Sequence, residues 1–513
     1  MSLDTAEIIN SSIPYKPTSL KNLLLDSVRQ HGGRTAVVAL HQAPYLPPGV
    51  STSPQPSAYL RWTYSELLDG AALLATALSQ RGVQKGDSIA SLLDNSGEWA
   101  LCFWAAVLLG CPWVAIQPRI AGDADELAHV LDISRPKVIL AWDVEQIEQL
   151  QTSAASQIDS IPLKISATLC DPAPDGWSVL SSVITDKLTK LDVTEDDPID
   201  VAEDLTLVLF TSGTTGRPKG CMHTNKTLTS MYRNHAHSLG LDETSASVSH
   251  LTLAHCFGLL YSVSFWSVGA KVVYPSFTFK ATCTLESFKL ESPTHMPAVP
   301  SLLHSLLDAV DQSEPQLNSL RHIEFSGAPV STDIIDQAKK RLSASIVSSH
   351  YGMTESGPAA SWPCEEIPTT LMGSFVSPGL PVPGGKLRIC APGSRVPLKR
   401  GEPGEIHQSS SHVINGYLGG VSQDQFYEDD LGHWMLTGDQ GVMLDSGEIT
   451  IGGRYKDIII RGGENIAPTQ IEAVLNCREH IKVISSLFNI LHFKARADFD
   501  IGTSRWCIGR DIR

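Results

Sequence analysis

At 513 residues the chain is too long for one ordinary core and must divide into several domains or subdomains. A composition of 42% hydrophobic and 18% charged residues excludes a disordered chain, and a formal net charge of −16 argues against nucleic acid or an anionic membrane as partner. Ten cysteines without a CxxC pair fit reduced thiols in a cytoplasmic protein better than a disulfide framework or a zinc site.

The N-terminal residues lack a basic start and an apolar core, so no secretory signal is expected, and the final Asp-Ile-Arg is not a peroxisomal tripeptide. Apolar spacing predicts a helix over Leu20 to Gln30 and a strand over Ala36 to Leu40, followed by a Pro/Ser-rich surface loop from His41 to Tyr59. Thr63-Tyr-Ser-Glu66 has the form of a capping box, opening a helix that Gly82 stops. Strand Ser88 to Leu93, helix Ser96 to Leu109 and strand Trp113 to Ile116 continue a β-α-β rhythm. The uncharged run Trp99 to Ile116 nearly reaches membrane-spanning length, but Gly110 and Pro112 interrupt it, so a buried helix and strand are expected and no transmembrane segment. From Gln151 to Asp200 the pattern is weak and acidic, the signature expected of a connection between subdomains.

The strand-like Leu205 to Phe210 leads into Thr211-Ser-Gly-Thr-Thr-Gly-Arg-Pro-Lys-Gly220. Glycines bring backbone N–H groups close to an anion, hydroxyls donate further bonds and Lys219 adds a point charge, so the chemistry is that of a phosphate loop; the alternative is a solvated turn. The spacing is not that of a Walker A loop, and Pro218 argues against a helix directly behind it. Helix Asn225 to Ser238, strand Ser247 to Leu253, helix Leu259 to Val268 and strand Lys271 to Tyr274 predict a second α/β unit. Beyond Pro358, short strands at Lys386 to Ile389, Gly404 to Gln408, Trp434 to Leu436 and Glu448 to Ile451 predict a small β-rich subdomain. The alternation as a whole predicts an α/β fold with a largely parallel sheet.

The decapeptide Thr211 to Gly220 resembles the phosphate loop of the ANL superfamily of adenylating enzymes, which contains acyl-CoA synthetases, peptide-synthetase adenylation domains and firefly-type luciferases. Further motifs follow in the superfamily's order. Ser326-Gly-Ala-Pro329 resembles the adenine-contacting loop, with Gly327 and Ala328 at the matching positions. His350-Tyr-Gly-Met-Thr-Glu-Ser-Gly357 resembles the signature octamer. Leu436-Thr-Gly-Asp439 resembles the ribose-binding element, and Gly453-Arg-Tyr-Lys456 through Pro468 the junction between large and small domains.

The resemblance implies a large N-terminal domain, residues 1–455, of two α/β subdomains plus the small β-rich one, and then a small α+β C-terminal lid, residues 456–513, that is incomplete. It implies ATP, Mg²⁺ and coenzyme A, or the phosphopantetheine of a carrier protein, acting on a small-molecule carboxylic acid. Nucleotide contacts would come from Thr211, Ser212, Gly213, Thr214, Thr215, Gly216, Lys219, Gly327, Ala328, His350, Tyr351, Gly352, Thr354, Asp439, Arg454 and Lys456. Among these Tyr351 would stack on adenine, Asp439 hold the ribose hydroxyls and Lys456 mark the hinge, and Gly462 and Gly463 would admit a pantetheine arm. Thr211 and Glu355 would serve the metal. Lys219, Thr354, Glu355 and His255 are the expected catalytic groups. His255, in Leu253-Ala-His-Cys-Phe-Gly258, matches the gate of acyl-CoA synthetases, the other reading being a packed core histidine. That motif has no aspartate to pair with a substrate ammonium, so an acid without an α-amino group is expected, fatty or aryl, with Gly258, Gly327 and Gly352 leaving room for it.

Three functions remain open at this level: an acid–thiol ligase making acyl-CoA, an acyl-AMP ligase loading a carrier protein, and a catalytically impaired nucleotide-binding protein. The third arises because family members carry about a hundred residues beyond the hinge, a small-domain length, with a lysine in a Gly-Lys step. Here Lys482 and Lys494 are in no comparable context, so weak adenylation is expected, the other reading being a divergent lid.

Overall fold

Three sheets organise the chain, and the local sequence explains how their elements start and stop. The computed structural model describes residues 5–13, 18–47, 49–50, 57–167, 173–184, 189–195, 201–211, 217–310, 317–362, 371–372, 375–457, 459–461 and 464–466. The loop positions Ser212 to Gly216, the glycines Gly462 and Gly463, and the lid lysines Lys482 and Lys494 lie outside the described residues.

The first sheet orders its strands Lys219–Thr224, Leu205–Thr211, Trp113–Ala115, Ile89–Ser91, Val138–Ala141, Leu163–Ser166 and Ser178–Val179. All its pairings are parallel except the hairpin of Leu205–Thr211 with Lys219–Thr224. Residues 151–166 therefore belong to the sheet and to helix Val144–Ser160, not to a connection between subdomains. Their apolar positions Ala154, Ile158, Ile161 and Ile165 are buried, but four in sixteen residues make too sparse a pattern to stand out from an acidic background.

The second sheet has nine strands, with a parallel centre of Ile346–Met353, His322–Ser326, His295–Ala298, Ala246–Val248, Lys271–Tyr274 and Thr35–Ala39. Antiparallel strands close it, Leu60–Thr63 at one side, Gly357–Ser361 and Leu380–Pro381 at the other. Helices Tyr64–Gln80 and Gly97–Leu109 lie between the two sheets, sharing one apolar core with strands of both. Burial on all sides explains why Gly97–Leu109 reads as nearly membrane-like: every residue from Gly97 to Leu108 is buried, and Trp99 stacks on Phe103 at 4.9 Å. Gly110 ends that helix at φ +66°, and no helix among the described residues is long and apolar enough to cross a membrane.

Thr63 caps Tyr64–Gln80 as its motif predicts, its hydroxyl accepting from the Glu66 N–H while the Glu66 carboxylate accepts from the Thr63 N–H at 2.7 Å. The third sheet is antiparallel and orders Glu7–Ile9, Lys386–Cys390, Pro403–Ser409, Gly432–Met443 and Phe426–Asp429, with Ile449–Arg454 also paired to Gly432–Met443. Arg388 secures the first strand through Glu7 at 2.7 Å and stacks over Trp434 at 3.6 Å.

Candidate active site

The C-terminal ends of strands from both parallel sheets converge on the third sheet, and the gap between them is a cavity of about 900 Å³. Ligands of open α/β sheets bind in this position because loops leaving the strands diverge there. Thr211 and Lys219 face each other across the hairpin that flanks the glycine-rich loop, and both line the cavity. A hairpin, not a helix, follows the loop, in keeping with Pro218.

Lys219 is held at two points: its Nζ donates to Gln425 Oε1 at 3.3 Å and lies 4.9 Å from the centroid of the Tyr417 ring. The buried Tyr417 hydroxyl donates to Glu355 Oε1 at 2.8 Å, and burial followed by the nearby Glu355 charge raises its pKa. The backbone of the signature is pinned as well. The Glu355 carbonyl accepts from the Ile414 N–H at 2.9 Å, and the Thr354 carbonyl lies 2.9 Å from His223 Nε2. Burial lowers His223 to about 4, so its ring is neutral near pH 7 and can donate from Nε2.

Tyr351 and Asp439 sit together just behind the cavity wall. The Tyr351 hydroxyl donates to Asp439 Oδ2 at 2.6 Å, and Arg454 Nε faces Asp439 Oδ1 at 3.3 Å. Burial raises the Asp439 carboxyl, with Tyr351 and Arg454 opposing. A bulge aims this aspartate: Thr437 Oγ1 donates to the Ile406 carbonyl at 2.8 Å, Gly438 turns at φ +74°, and the Asp439 N–H donates to Thr437 Oγ1 at 3.1 Å. Arg454, Tyr455 and Lys456 complete the rim on this side, with Arg454 and Lys456 exposed.

The opposite arm of the cavity is apolar, lined by Leu251, Phe257, Leu260 and Val299. His255 is not a packed core histidine. It is solvent-accessible, lines the cavity and caps helix Cys256–Trp266, its Nδ1 accepting from the Phe257 N–H at 3.3 Å. The enclosing walls lower its pKa, and a helix N-terminus also favours the neutral ring.

Of the predicted residues, Thr211, Lys219, His255, Gly327, His350, Gly352, Thr354, Glu355, Arg454 and Lys456 share the cavity wall. Ala328 is exposed beside it. The expectation that Gly258 and Gly352 leave room for substrate is corrected by their packing. A Cβ on Gly258 would meet the Thr252 carbonyl oxygen at 2.3 Å, and one on Gly352 would meet the Gly357 carbonyl oxygen at 2.3 Å. Backbone approach, not cavity space, requires glycine at both. Gly327 does border the cavity, at φ +82°. Sequence reasoning missed Tyr417, Gln425 and Glu405, whose only sequence signal is a Gly-Tyr step at Gly416-Tyr417.

Two carboxylates line this wall, Glu355 and Glu405. Glu405 Oε1 accepts from the Gly438 N–H at 3.2 Å, and Glu355, with one oxygen fixed by Tyr417 and with Thr211 also on the wall, is the one in the signature. One carboxylate with substrate phosphate oxygens is the ligand habit of Mg²⁺, so the residues present fit that ion.

The fold and the cavity define a doubly wound nucleotide-type site closed by a β-rich subdomain, and comparison with known proteins gives its family. The AMP-binding enzyme family matches residues 24–418, and the chain belongs to that family. An acyl-CoA ligase of Ajellomyces capsulatus is 30% identical over 440 residues, which cover 82% of this chain and 73% of that protein. A 2-succinylbenzoate–CoA ligase of Bacillus licheniformis is 30% identical over 430 residues, covering 80% and 78%. Among solved structures, ATP-bound MatB from Rhodopseudomonas palustris aligns with a TM-score of 0.72 at 23% identity, over 90% of this chain and 84% of that one. The o-succinylbenzoate CoA synthetase of Bacillus subtilis, in complex with its acyl-adenylate intermediate, aligns with a TM-score of 0.72 over 91% and 84% at 23% identity. At these identities the two structures establish the fold.

Proposed function

We propose that this chain is an acyl-CoA ligase: it joins a carboxylic acid to AMP from ATP, releasing pyrophosphate, and passes the acyl group to the thiol of coenzyme A, releasing AMP. The supporting observation is that one cavity combines a cationic, hydroxyl-bearing loop base at Thr211 and Lys219 with an apolar arm at Phe257, Leu260 and Val299. An acid whose chain lies in the arm would direct its carboxylate towards the loop. There an acid oxygen attacks the α-phosphorus of ATP, a P–O bond forms, and the bond to pyrophosphate breaks. In the second step the thiol sulfur attacks the acyl carbon, its proton is lost, and the bond to AMP oxygen breaks.

Most of this chemistry is positioning and charge stabilisation, and no side-chain nucleophile is needed. Lys219, held by Gln425 and the Tyr417 ring, supplies positive charge at the phosphates. Thr354 would contact the α-phosphate, and Tyr351, Gly327 and Ala328 the adenine. Asp439 and Arg454 would serve the ribose, with Asp439 exchanging its Tyr351 and Arg454 partners for ribose hydroxyls. Glu355 and Thr211 would hold Mg²⁺, which when bound neutralises phosphate charge. His255, neutral and on the wall of the arm, gates entry of the acid. Lys456 is the hinge between residues 1–455 and a C-terminal lid.

The acid carries no α-amino group, because the apolar arm would bury an ammonium without a carboxylate partner, a cost of several kcal/mol. The test is acid-dependent pyrophosphate release across fatty, aryl and amino acids, followed by addition of coenzyme A or a carrier protein as sole acceptor. Best turnover with an ordinary amino acid would refute the substrate class. Acyl transfer to the carrier protein and not to coenzyme A would refute the acceptor.

A further inference from the structure

Strand alternation gathers polar side chains on one face of the second sheet. His322 and Glu324 share a face of strand His322–Ser326, and Ser348 and His350 share a face of its neighbour Ile346–Met353. These two faces are the same one, because His322 Nε2 lies 2.7 Å from Ser348 Oγ and His350 Nε2 lies 2.8 Å from Glu324 Oε1. Helix Asn225–Ser238 adds His235, whose Nε2 lies 2.9 Å from Glu324 Oε2. One potential ligand atom from each of His235, Glu324 and His350 thus lies within 4.8 Å of the other two. His235 and Glu324 are fully buried, whereas the His350 side chain is 5% exposed and forms part of the cavity wall.

A purely hydrogen-bonded bracket between helix and sheet would satisfy both carboxylate oxygens, since a buried charge left half-paired is costly. Only one is satisfied. Glu324 Oε2 is bonded to His235, but the buried Oε1 has no hydrogen-bond partner among the described residues, even with His350 Nε2 at 2.8 Å. At that separation a missing bond means that the axis of the ring nitrogen, along which either its N–H or its lone pair lies, passes to one side of the oxygen. Two atoms that share a cation are arranged in this way: each sits about 2.0–2.2 Å from the ion, which lies off the line joining them. His235 also has the support typical of a metal-bound imidazole, its Nδ1 meeting Ser264 Oγ at 2.9 Å and leaving Nε2 as the nitrogen turned to the cluster.

We propose that His235 Nε2, His350 Nε2 and the Glu324 carboxylate form a binding site for a divalent first-row transition-metal ion of the zinc type. The site is independent of the ligase reading. Two imidazoles and one carboxylate suit such an ion and not Mg²⁺, which takes oxygen ligands, so it is separate from the Glu355 and Thr211 position. On binding, His235 carries its proton on Nδ1, donated to Ser264 Oγ, and presents a bare Nε2 to the ion in place of the bond to Glu324. Two neutral rings and one carboxylate leave a single net positive charge, and His350 borders the cavity from which water can reach a fourth position. The ion would tie helix Asn225–Ser238 to both strands, one of which, Ile346–Met353, runs into the signature octamer.

The test is zinc analysis of the full chain, made without a polyhistidine tag, stripped with a chelator, dialysed against Zn²⁺ beside excess Mg²⁺ and freed of loose ion by gel filtration. The expected result is about one zinc retained per chain, with a rise in the melting temperature of the stripped chain when Zn²⁺ is restored. Glu324→Gln, which keeps the shape of the carboxylate, and His235→Gln should each weaken zinc binding at least about tenfold. Glu355→Gln should leave it unchanged. Should the first two variants fail to fold, X-ray absorption at the zinc edge of the wild-type chain decides, the expected shell being imidazole nitrogen and oxygen without sulfur. A wild-type chain that retains no zinc overturns the inference. So does binding undiminished in Glu324→Gln, binding lost in Glu355→Gln, or a shell that contains sulfur or lacks imidazole.

Discussion

Tyr417 touches two charged groups of the cavity at once, Glu355 through its hydroxyl and Lys219 through its ring. Tyr417→Phe keeps the ring and removes the donor, so the Glu355 carboxylate loses orientation while Lys219 keeps its seat. The expected outcome is a severalfold rise in the Mg²⁺ concentration for half-maximal pyrophosphate release; an unchanged Mg²⁺ profile would remove Tyr417 from that role. Asp439 is tested by binding. Asp439→Ala should weaken Mg·ATP affinity by roughly 1.5 to 3 kcal/mol, the scale of hydrogen bonds to a charged group, and equal affinities measured by calorimetry would exclude a ribose contact. The sequence exposes these residues unequally. Lys219, Thr354, Glu355 and Asp439 lie in contiguous strings whose chemistry is readable locally. Tyr417 and Gln425 reach Glu355 and Lys219 only because the third sheet brings them there, and no local pattern carries that information.

Among the elements, the hairpin and signature strands depend on backbone packing tight enough to dictate single residues. Gly352 stands where the ladder between Ile346–Met353 and Gly357–Ser361 shifts register, and its α-carbon abuts the Gly357 carbonyl. Gly352→Ala should therefore cost on the order of 1 to 3 kcal/mol through displacement of that ladder, measured by denaturant unfolding. No loss of stability would show that the strand yields freely. Element types were legible wherever periodicity was strong, as in Asn225–Ser238, whose bounds match the sequence reading. Strand Glu7–Ile9 was not legible, since three residues carry no period and its partner Lys386–Cys390 lies at the far end of the chain. Gly258 and Gly352 were misread for a related reason: a missing side chain in the sequence does not say whether ligand or backbone occupies the space.

For the molecule as a whole, an unusual number of buried histidines links folding to pH. Burial is the leading cause that lowers His41, His223, His250, His322 and His412 to about 4, and His295 to about 3. A folded-state pKa below the unfolded 6.5 means that the unfolded chain binds the extra protons. Stability from these groups is fully present above about pH 6.5 and is lost as pH falls towards 4. Asp94 runs the other way: burial, then the charge of Asp143, raises it from 3.8 to about 6, so its contribution falls as pH rises through that window. Six histidines outweigh one aspartate, and the expected outcome is a net loss on the order of a few kcal/mol between pH 6.5 and 4, read from denaturant midpoints. Asp94→Asn should remove the opposing slope and raise stability at pH 7 relative to wild type.

The central claim is that nucleotide and acid share one cavity, divided between the loop base at Thr211 and Lys219 and the arm at Phe257 and Leu260. Calorimetry of the full chain with AMP and with an acyl-sulfamoyl-adenosine, whose acyl chain is covalently joined to the nucleoside, tests it most directly. Joint occupancy predicts that the linked molecule binds at least about a hundredfold more tightly than AMP, as intermediate analogues do, and that Asp439→Ala weakens both. An acyl-sulfamoyl-adenosine that binds no more tightly than AMP, for any acyl chain, would contradict the account.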